Sequence, residues 1–238
     1  MLTLEQLEEA ISGYRDALCP EIDAGGLFQR NKIAHKWKVT YRTIVLRELV
    51  SWRFVDLIHQ AILLEKSKAF VGSRIIIRSA IETLSILINS VRKMENIVRT
   101  GSGFHEYSKK SVSLLLGSKD QRTKHNAINV MEVIQLASKQ YAELQQVYDN
   151  LSETAHPNFD GMMYVYSVVS DRGMNTKFTN DVSRIYEGRQ SAIISLLCLI
   201  FEEEYNEAWP AAFEKFETWV EANDEMLEAT KPPEDSDA

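Results

Sequence analysis

The amino-acid sequence predicts an all-α protein, a multi-helix bundle of six to eight helices with a small extended or hairpin insertion near residues 162–179. Apolar residues recur at the 3.6-residue period of a helical face through most of the chain. Ten glycines and five prolines among 238 residues leave few points where that pattern is broken. One stretch, Met162 to Ser170, departs from it, being rich in Val and Tyr and followed by a turn signal.

The elements follow in order. Thr3 and Gln6 form a potential capping box for a first helix from Leu4 to Leu18, stopped by Pro20. After Gly25-Gly26 a short helix from Gln29 to His35 leads into a long one from Val39 to Lys66. Tyr41, Ile44, Val45, Leu49, Trp52, Val55, Ile62 and Leu63 line the apolar face of that long helix, with Glu48 and His59 set among them. A second long helix runs from Phe70 to Arg99 and ends at Gly101-Ser102-Gly103. Shorter patterns follow from His105 to Leu116 and from Ala127 to Ala155, the latter closed by Pro157. Asp171-Arg172-Gly173 turns the extended insertion back into Thr176-Lys177-Phe178. Helical periodicity returns from Asp181 to Ala208, and Pro210 starts a last amphipathic helix to Ala229.

A hydrophobic content of 45% is enough for a full core, and no Gly/Ser/Pro-rich linker interrupts the periodic segments. Residues 1–230 are therefore expected to form a single helical domain, with residues 231–238 as a disordered acidic tail. The chain opens on a helix signal rather than on the basic-then-apolar pattern of a secretory leader. The longest apolar stretch, Ala192 to Phe201, is about half a membrane span. Cys19 and Cys198 are distant and lack CxxC spacing. Together these predict a cytoplasmic protein without membrane attachment or a disulfide framework.

The net charge of −7 argues against a chain coated in nucleic acid, but the charge is uneven. Arg30, Lys32, Lys36, Lys38, Arg42, Arg47 and Arg53 fall in one stretch with Trp37, Tyr41 and Trp52 interleaved. Cations can follow a phosphate backbone and aromatic rings can stack bases, which makes Lys32, Lys36, Trp37, Lys38 and Arg42 candidate nucleic-acid contacts. The C-terminal region from Glu202 to Glu228 is the acidic counterpart. Its other reading is docking of acidic helices beside the basic one, within one chain or across a dimer.

A ladder of charge lies on the second long helix. Arg74, Arg78 and Glu82 recur every fourth residue among Ile75, Ile76, Ile77, Ile81, Leu84 and Ile88. Charge placed on an apolar face demands partners. The expected partner is the segment Tyr148 to Asn158, which carries Ser152, Glu153 and His156. Glu48, His59, Arg74, Arg78, Glu82, Ser152 and His156 thus form a candidate pocket, either for an anionic ligand gripped by the arginine forks or for structural pairing alone. Ser152 and His156 do not indicate a serine hydrolase, because no G-x-S-x-G elbow occurs. Glu153-Thr154-Ala155-His156 matches the Glu-x-x-His of di-iron bundles but has no second copy. His59, Glu82, Glu153 and His156 would be its only ligands, and neither a metal nor a cofactor is expected.

Arg30-Asn31-Lys32-Ile33-Ala34-His35 resembles the Arg–polar–x3–His motif of the HEPN ribonucleases, small helical proteins that usually act as dimers. The resemblance implies that His35 takes the ribose 2′-hydroxyl proton or protonates the leaving oxygen, while Arg30 stabilises the pentacovalent phosphate. It covers six residues, and here one helix precedes the motif, whereas in the family several do. A wider resemblance, from Glu48 to Gly161, rests on Arg78-Ser-Ala-Ile-Glu82 and Tyr148-x-x-Leu-Ser-x-x-x-His156-Pro-Asn158. It is to uncharacterised bacterial all-helical proteins, some encoded near phage-defence loci, and implies a fold rather than a reaction. The leading expectation is therefore a HEPN-like, metal-independent RNase or toxin-type effector with Arg30 and His35 as catalytic residues. Its partners would be RNA, a second copy of the chain in a homodimer, and a neutralising or sensor protein. The alternative is a non-enzymatic sensor or interaction protein built on the Arg/Glu/His pocket.

Overall fold

The computed structural model describes residues 2–170, 173–180 and 182–233, and these are mainly helical. The helices are α1 (Leu4–Asp16), α2 (Ala24–Arg30), α3 (Lys32–His35), α4 (Lys38–Lys66), α5 (Phe70–Thr100), α6 (Phe104–Leu116), α7 (Val130–Ala137), α8 (Glu143–Ala155), α9 (Tyr164–Tyr166), α10 (Ser183–Tyr186), α11 (Gln190–Glu203), α12 (Trp209–Ala222) and α13 (Asp224–Ala229). Two π-helical segments, Phe159–Met163 and Glu204–Ala208, lie between them. The insertion is a hairpin in which β1 (Ser167–Val169) pairs antiparallel with β2 (Thr176–Phe178), Val168 opposite Lys177. Asp171 and Arg172 of the expected turn, and residues 234–238 of the expected tail, lie outside the described residues.

Local chemistry accounts for the boundaries. Thr3 and Gln6 close a full capping box on α1. Gly101 and Gly103, at φ 67° and 85°, take the left-handed conformations that end α5 and start α6. Several boundaries differ from the periodicity. The helix expected from Gln29 to His35 is two helices, because Asn31 adopts an extended conformation (φ −144°, ψ 91°) and caps α3. The pattern from Ala127 to Ala155 divides into α7 and α8 at Ser138, whose hydroxyl bonds back to the Ile134 carbonyl. Gly188, at φ 77°, separates α10 from α11. Pro210 lies in the first turn of α12, as expected, but the last helix breaks at Asn223 into α12 and α13 instead of running on to Ala229. The Glu204–Ala208 π-segment joins α11 to α12, and the wider turn accommodates a proline, which has no N–H to give.

Two compact units emerge, each from three stretches of chain. The first comprises residues 1–18, 50–86 and 131–202. Leu7, Ile11, Phe54, Ile58, Ile62, Ile77, Ile81, Leu84 and Leu151 are almost fully buried in it. Phe54 stacks on Phe201 at 4.5 Å, and Tyr14 meets the same ring edge-on. The second comprises residues 19–49, 87–130 and 203–238, with Ile88, Val91, Met94, Phe104, Phe216 and Val220 in its core. The buried Tyr107 hydroxyl is satisfied there by Ser90 at 2.8 Å and Thr43 at 3.2 Å.

Candidate functional site

Arg30, Asn31 and His35 belong to the second unit, and the break at Asn31 decides their geometry. Side chains five apart on a continuous α-helix point about 140° from one another and do not meet. With residue 31 extended, Arg30 Nη2 comes within 3.3 Å of His35 Nε2. Asn31 holds the break in place, its Oδ1 accepting from the Ala34 N–H at 2.9 Å and its Nδ2 donating to Glu221 at 2.8 Å.

A third residue joins them. The Glu217 carboxylate on α12 lies 2.7 and 2.8 Å from Arg30 Nη2 and 2.8 Å from His35 Nε2. The Arg30 side chain remains 57% exposed, whereas the side chains of His35 and Glu217 are 3% and 14% exposed. The site thus has an open cationic side and a closed imidazole side. Thr40 orients the ring: its hydroxyl donates to the Trp37 carbonyl at 2.8 Å, which leaves a lone pair to accept from His35 Nδ1–H at 3.0 Å. Burial holds the imidazole below its ordinary range, Glu217 pulls it upward and Arg30 pushes it down.

The neighbouring cations also meet acids. Lys36 binds Asp224 at 2.7 Å and Glu228 at 2.9 Å, and Trp37 donates its indole N–H to Asp224 at 2.8 Å. These bonds raise the Lys36 ammonium and lower the Asp224 carboxyl. Arg42 is half-buried and donates to the Ser108 carbonyl at 3.3 Å, while Lys32 and Lys38 are exposed. Of the five expected nucleic-acid contacts, Lys36 and Trp37 are therefore bound to the acidic helices of the same chain.

In the first unit the charge ladder meets α8. Arg74, 3% exposed, donates through Nε to Thr154 at 2.9 Å and through Nη2 to the Asn150 carbonyl and side chain at 3.0 and 2.7 Å. Its guanidinium carbon also lies 4.4 Å from the Tyr186 ring centroid. Arg78 donates to the Tyr148 hydroxyl at 2.8 Å, and that hydroxyl donates to Glu82 at 3.0 Å. Arg78 and Glu82 are 3.4 Å apart. The ladder is thus met largely by neutral oxygens of α8, while the buried Arg78 Nε has no hydrogen-bond partner among the described residues. His156 takes no part in these bonds; it caps the C-terminus of α8 and is exposed. Among the described residues the buried Ser152 hydroxyl has no hydrogen-bond partner. His59 is half-buried on α4, and Glu48, in the second unit, gives its carboxylate to Arg47 at 2.6 Å and Tyr205 at 2.8 Å. The expected pocket therefore resolves into the Arg74–Arg78–Glu82 network, a separate Glu48 pair, and His59 and His156 outside both sets of bonds.

Near the ladder, Glu65 is 5% exposed, and burial pushes its carboxyl up to about 7. A cleft of about 530 Å³ in the second unit is lined by Arg92, Asn96, Arg99 and Lys215 among others, none of them among the expected site residues. Among the described residues no three His, Cys, Asp or Glu side chains gather as metal ligands, and no helix is long and apolar enough to cross a membrane.

Glu217 and Thr40 were not visible as site residues in the sequence. Glu217, Glu221, Asp224 and Glu228 follow a helical spacing, which marks one acidic face but not the cation each member meets. Comparison with protein-family models, with curated proteins and with solved structures finds no match.

Proposed function

We propose that this chain is a HEPN-like, metal-independent endoribonuclease of toxin-effector type, acting in the cytoplasm in phage defence, with Arg30 and His35 as its catalytic pair. One observation carries the proposal: a guanidinium and an imidazole converge on a single carboxylate, so the pair is already arranged to hold an anion. A phosphodiester oxygen has the charge to take the place of Glu217. The face of α12 next to it is anchored by Phe216 and Val220 in the core, so the Glu217 side chain moves aside while its helix stays.

In the reaction, His35 Nε2 takes the proton of a ribose 2′-hydroxyl. The oxygen then bonds to phosphorus, the bond from phosphorus to the 5′ oxygen breaks, and that oxygen is protonated by water. Arg30 stabilises the extra negative charge of the pentacovalent phosphate. A lowered imidazole pKa favours this role, since the ring is then neutral and able to accept a proton at neutral pH.

A second reading has its own support. Arg30, Asn31, His35, Lys36 and Trp37 all bond to acids of α12 and α13, as expected if the basic stretch serves to dock the C-terminal helices in a non-enzymatic protein. Incubating the purified protein with single-stranded RNA in EDTA separates the two. Cleavage that is lost in His35→Ala and raised in Glu217→Gln supports the nuclease. Absence of cleavage by the wild type and by Glu217→Gln supports docking.

A further inference from the structure

We infer that the cleft between α5 and α12 in the second unit is a binding site for a small organic phosphate ester, a nucleotide or a sugar phosphate. Its volume of about 530 Å³ falls within the range of about 300–1,000 Å³ that small-molecule sites occupy. Arg92, Glu95, Asn96 and Arg99 line it from α5, where spacings of three and four residues set them on one helical face. Lys215 lines it from α12, one turn beyond the buried Ala212.

Three of these side chains are cations, and their partners differ. Arg92 is already answered: its Nη1 donates to Glu95 at 2.7 Å and its Nη2 to the fully buried Glu204 at 2.8 Å. Arg99 gives one N–H to a neutral oxygen, Asn96 Oδ1, at 2.7 Å. Lys215 is exposed, and neither it nor Arg99 is ion-paired among the described residues. In a chain of net charge −7, the cleft thus holds a local excess of two positive charges. Arg99 also complements the carbonyl end of α5, in whose last turn it lies, but Lys215 sits inside α12 and has no such role.

That excess selects the ligand. A phosphate monoester carries about −1.5 to −2 at neutral pH and presents three acceptor oxygens. A guanidinium fork grips two of them and an ammonium takes the third, whereas a single carboxylate offers one charge and two oxygens. Half-buried Val98 and buried Ala212 add apolar surface for the organic part of the ester. The site is separate from the Arg30–His35 pair. Lys215 and Glu217 are two positions apart on α12, about 200° around the helix, and point to opposite sides of it. The inference therefore stands whether or not that pair cleaves RNA.

The test is isothermal titration calorimetry of the full chain at low salt with AMP, ribose 5-phosphate, adenosine and succinate. Both phosphates are expected to bind one per chain. Adenosine, which lacks the phosphate, and succinate, which divides its charge between two carboxylates, should bind at least about tenfold more weakly. Tighter binding of AMP than of ribose 5-phosphate assigns a nucleotide, and equal binding a sugar phosphate. Arg99→Gln and Lys215→Gln alter exposed side chains and should each weaken phosphate binding at least about tenfold without lowering the melting temperature. Glu95→Gln removes the one acid of the lining and should strengthen binding, an effect that misfolding does not produce. Arg30→Ala should leave binding unchanged. Absence of binding by both phosphates, succinate binding as tightly as they do, binding that Arg99→Gln and Lys215→Gln both leave intact, or its loss in Arg30→Ala overturns the proposal.

Discussion

Arg30 and His35 meet at 3.3 Å because Asn31, immediately after the arginine, leaves the helix and caps the next one. Asn31→Ala removes both the cap on the Ala34 N–H and the bond to Glu221. Loss of a cap of this kind costs about 1 kcal/mol, and the second bond adds to it. Chemical denaturation should show a loss of about 1–2 kcal/mol, with Asn31→Ser, which keeps a capping oxygen, losing less. An unchanged Asn31→Ala midpoint would mean that the cap does not hold the break.

The same residues show how far the sequence was legible. Arg74, Arg78 and Glu82 required partners because charge on an apolar face cannot be left alone, and α8 supplies them through Tyr148, Asn150 and Thr154. Periodicity told which face those residues share but not which atoms of the opposite helix would answer. Neutral hydroxyl and amide oxygens took the places that His156 was expected to fill. The basic and acidic stretches likewise foreshadowed docking, whereas the pairing of Arg30 with Glu217 depends on tertiary register over 187 positions. The hairpin was legible because Val168-Val169 and a turn signal are local properties, but Met162 to Tyr166, also expected to be extended, is π- and α-helical. Gly188 shows the reverse case, a local stop signal masked by strong helical patterning on both sides.

Removing Arg74 should cost more than removing Arg78. Arg74 is almost fully buried and bonds to three oxygens, some of which Arg74→Ala would strand in the core. Arg78 and Glu82 are each about a quarter exposed, so water can replace part of their pairing. The expected losses are about 3 kcal/mol for Arg74→Ala and about 1 kcal/mol for Arg78→Ala, measured by urea unfolding. Equal losses would contradict this account of the ladder.

Gly161 follows the turn that ends α8, and a Cβ there would fall 2.0 Å from the His156 carbonyl oxygen and 2.9 Å from that of Thr154. Both obstacles are backbone atoms, so no rotamer change relieves the overlap. Gly161→Ala should destabilise the first unit by about 3 kcal/mol. Hydrogen exchange should quicken between residues 159 and 170, where the π-helical turn must shift to admit the methyl group. Wild-type exchange in that segment would contradict the close approach.

Glu65 should make stability fall as pH rises toward neutrality. Its folded carboxyl titrates at about 7 against an ordinary 4.5, so folding favours the protonated form. The resulting contribution is fully present below the unfolded value and is lost as pH climbs through the folded one. Glu65→Gln keeps the size of the side chain and cannot ionise, so its stability should be flat where the wild type declines. One pKa unit corresponds to about 1.4 kcal/mol, and the gap between variant and wild type should widen by about 2–3 kcal/mol between pH 4 and pH 8. Parallel stability curves for the two proteins would show that Glu65 is ionised in the fold well below neutrality, with the Arg74 charge and the Ser73 hydroxyl outweighing its burial.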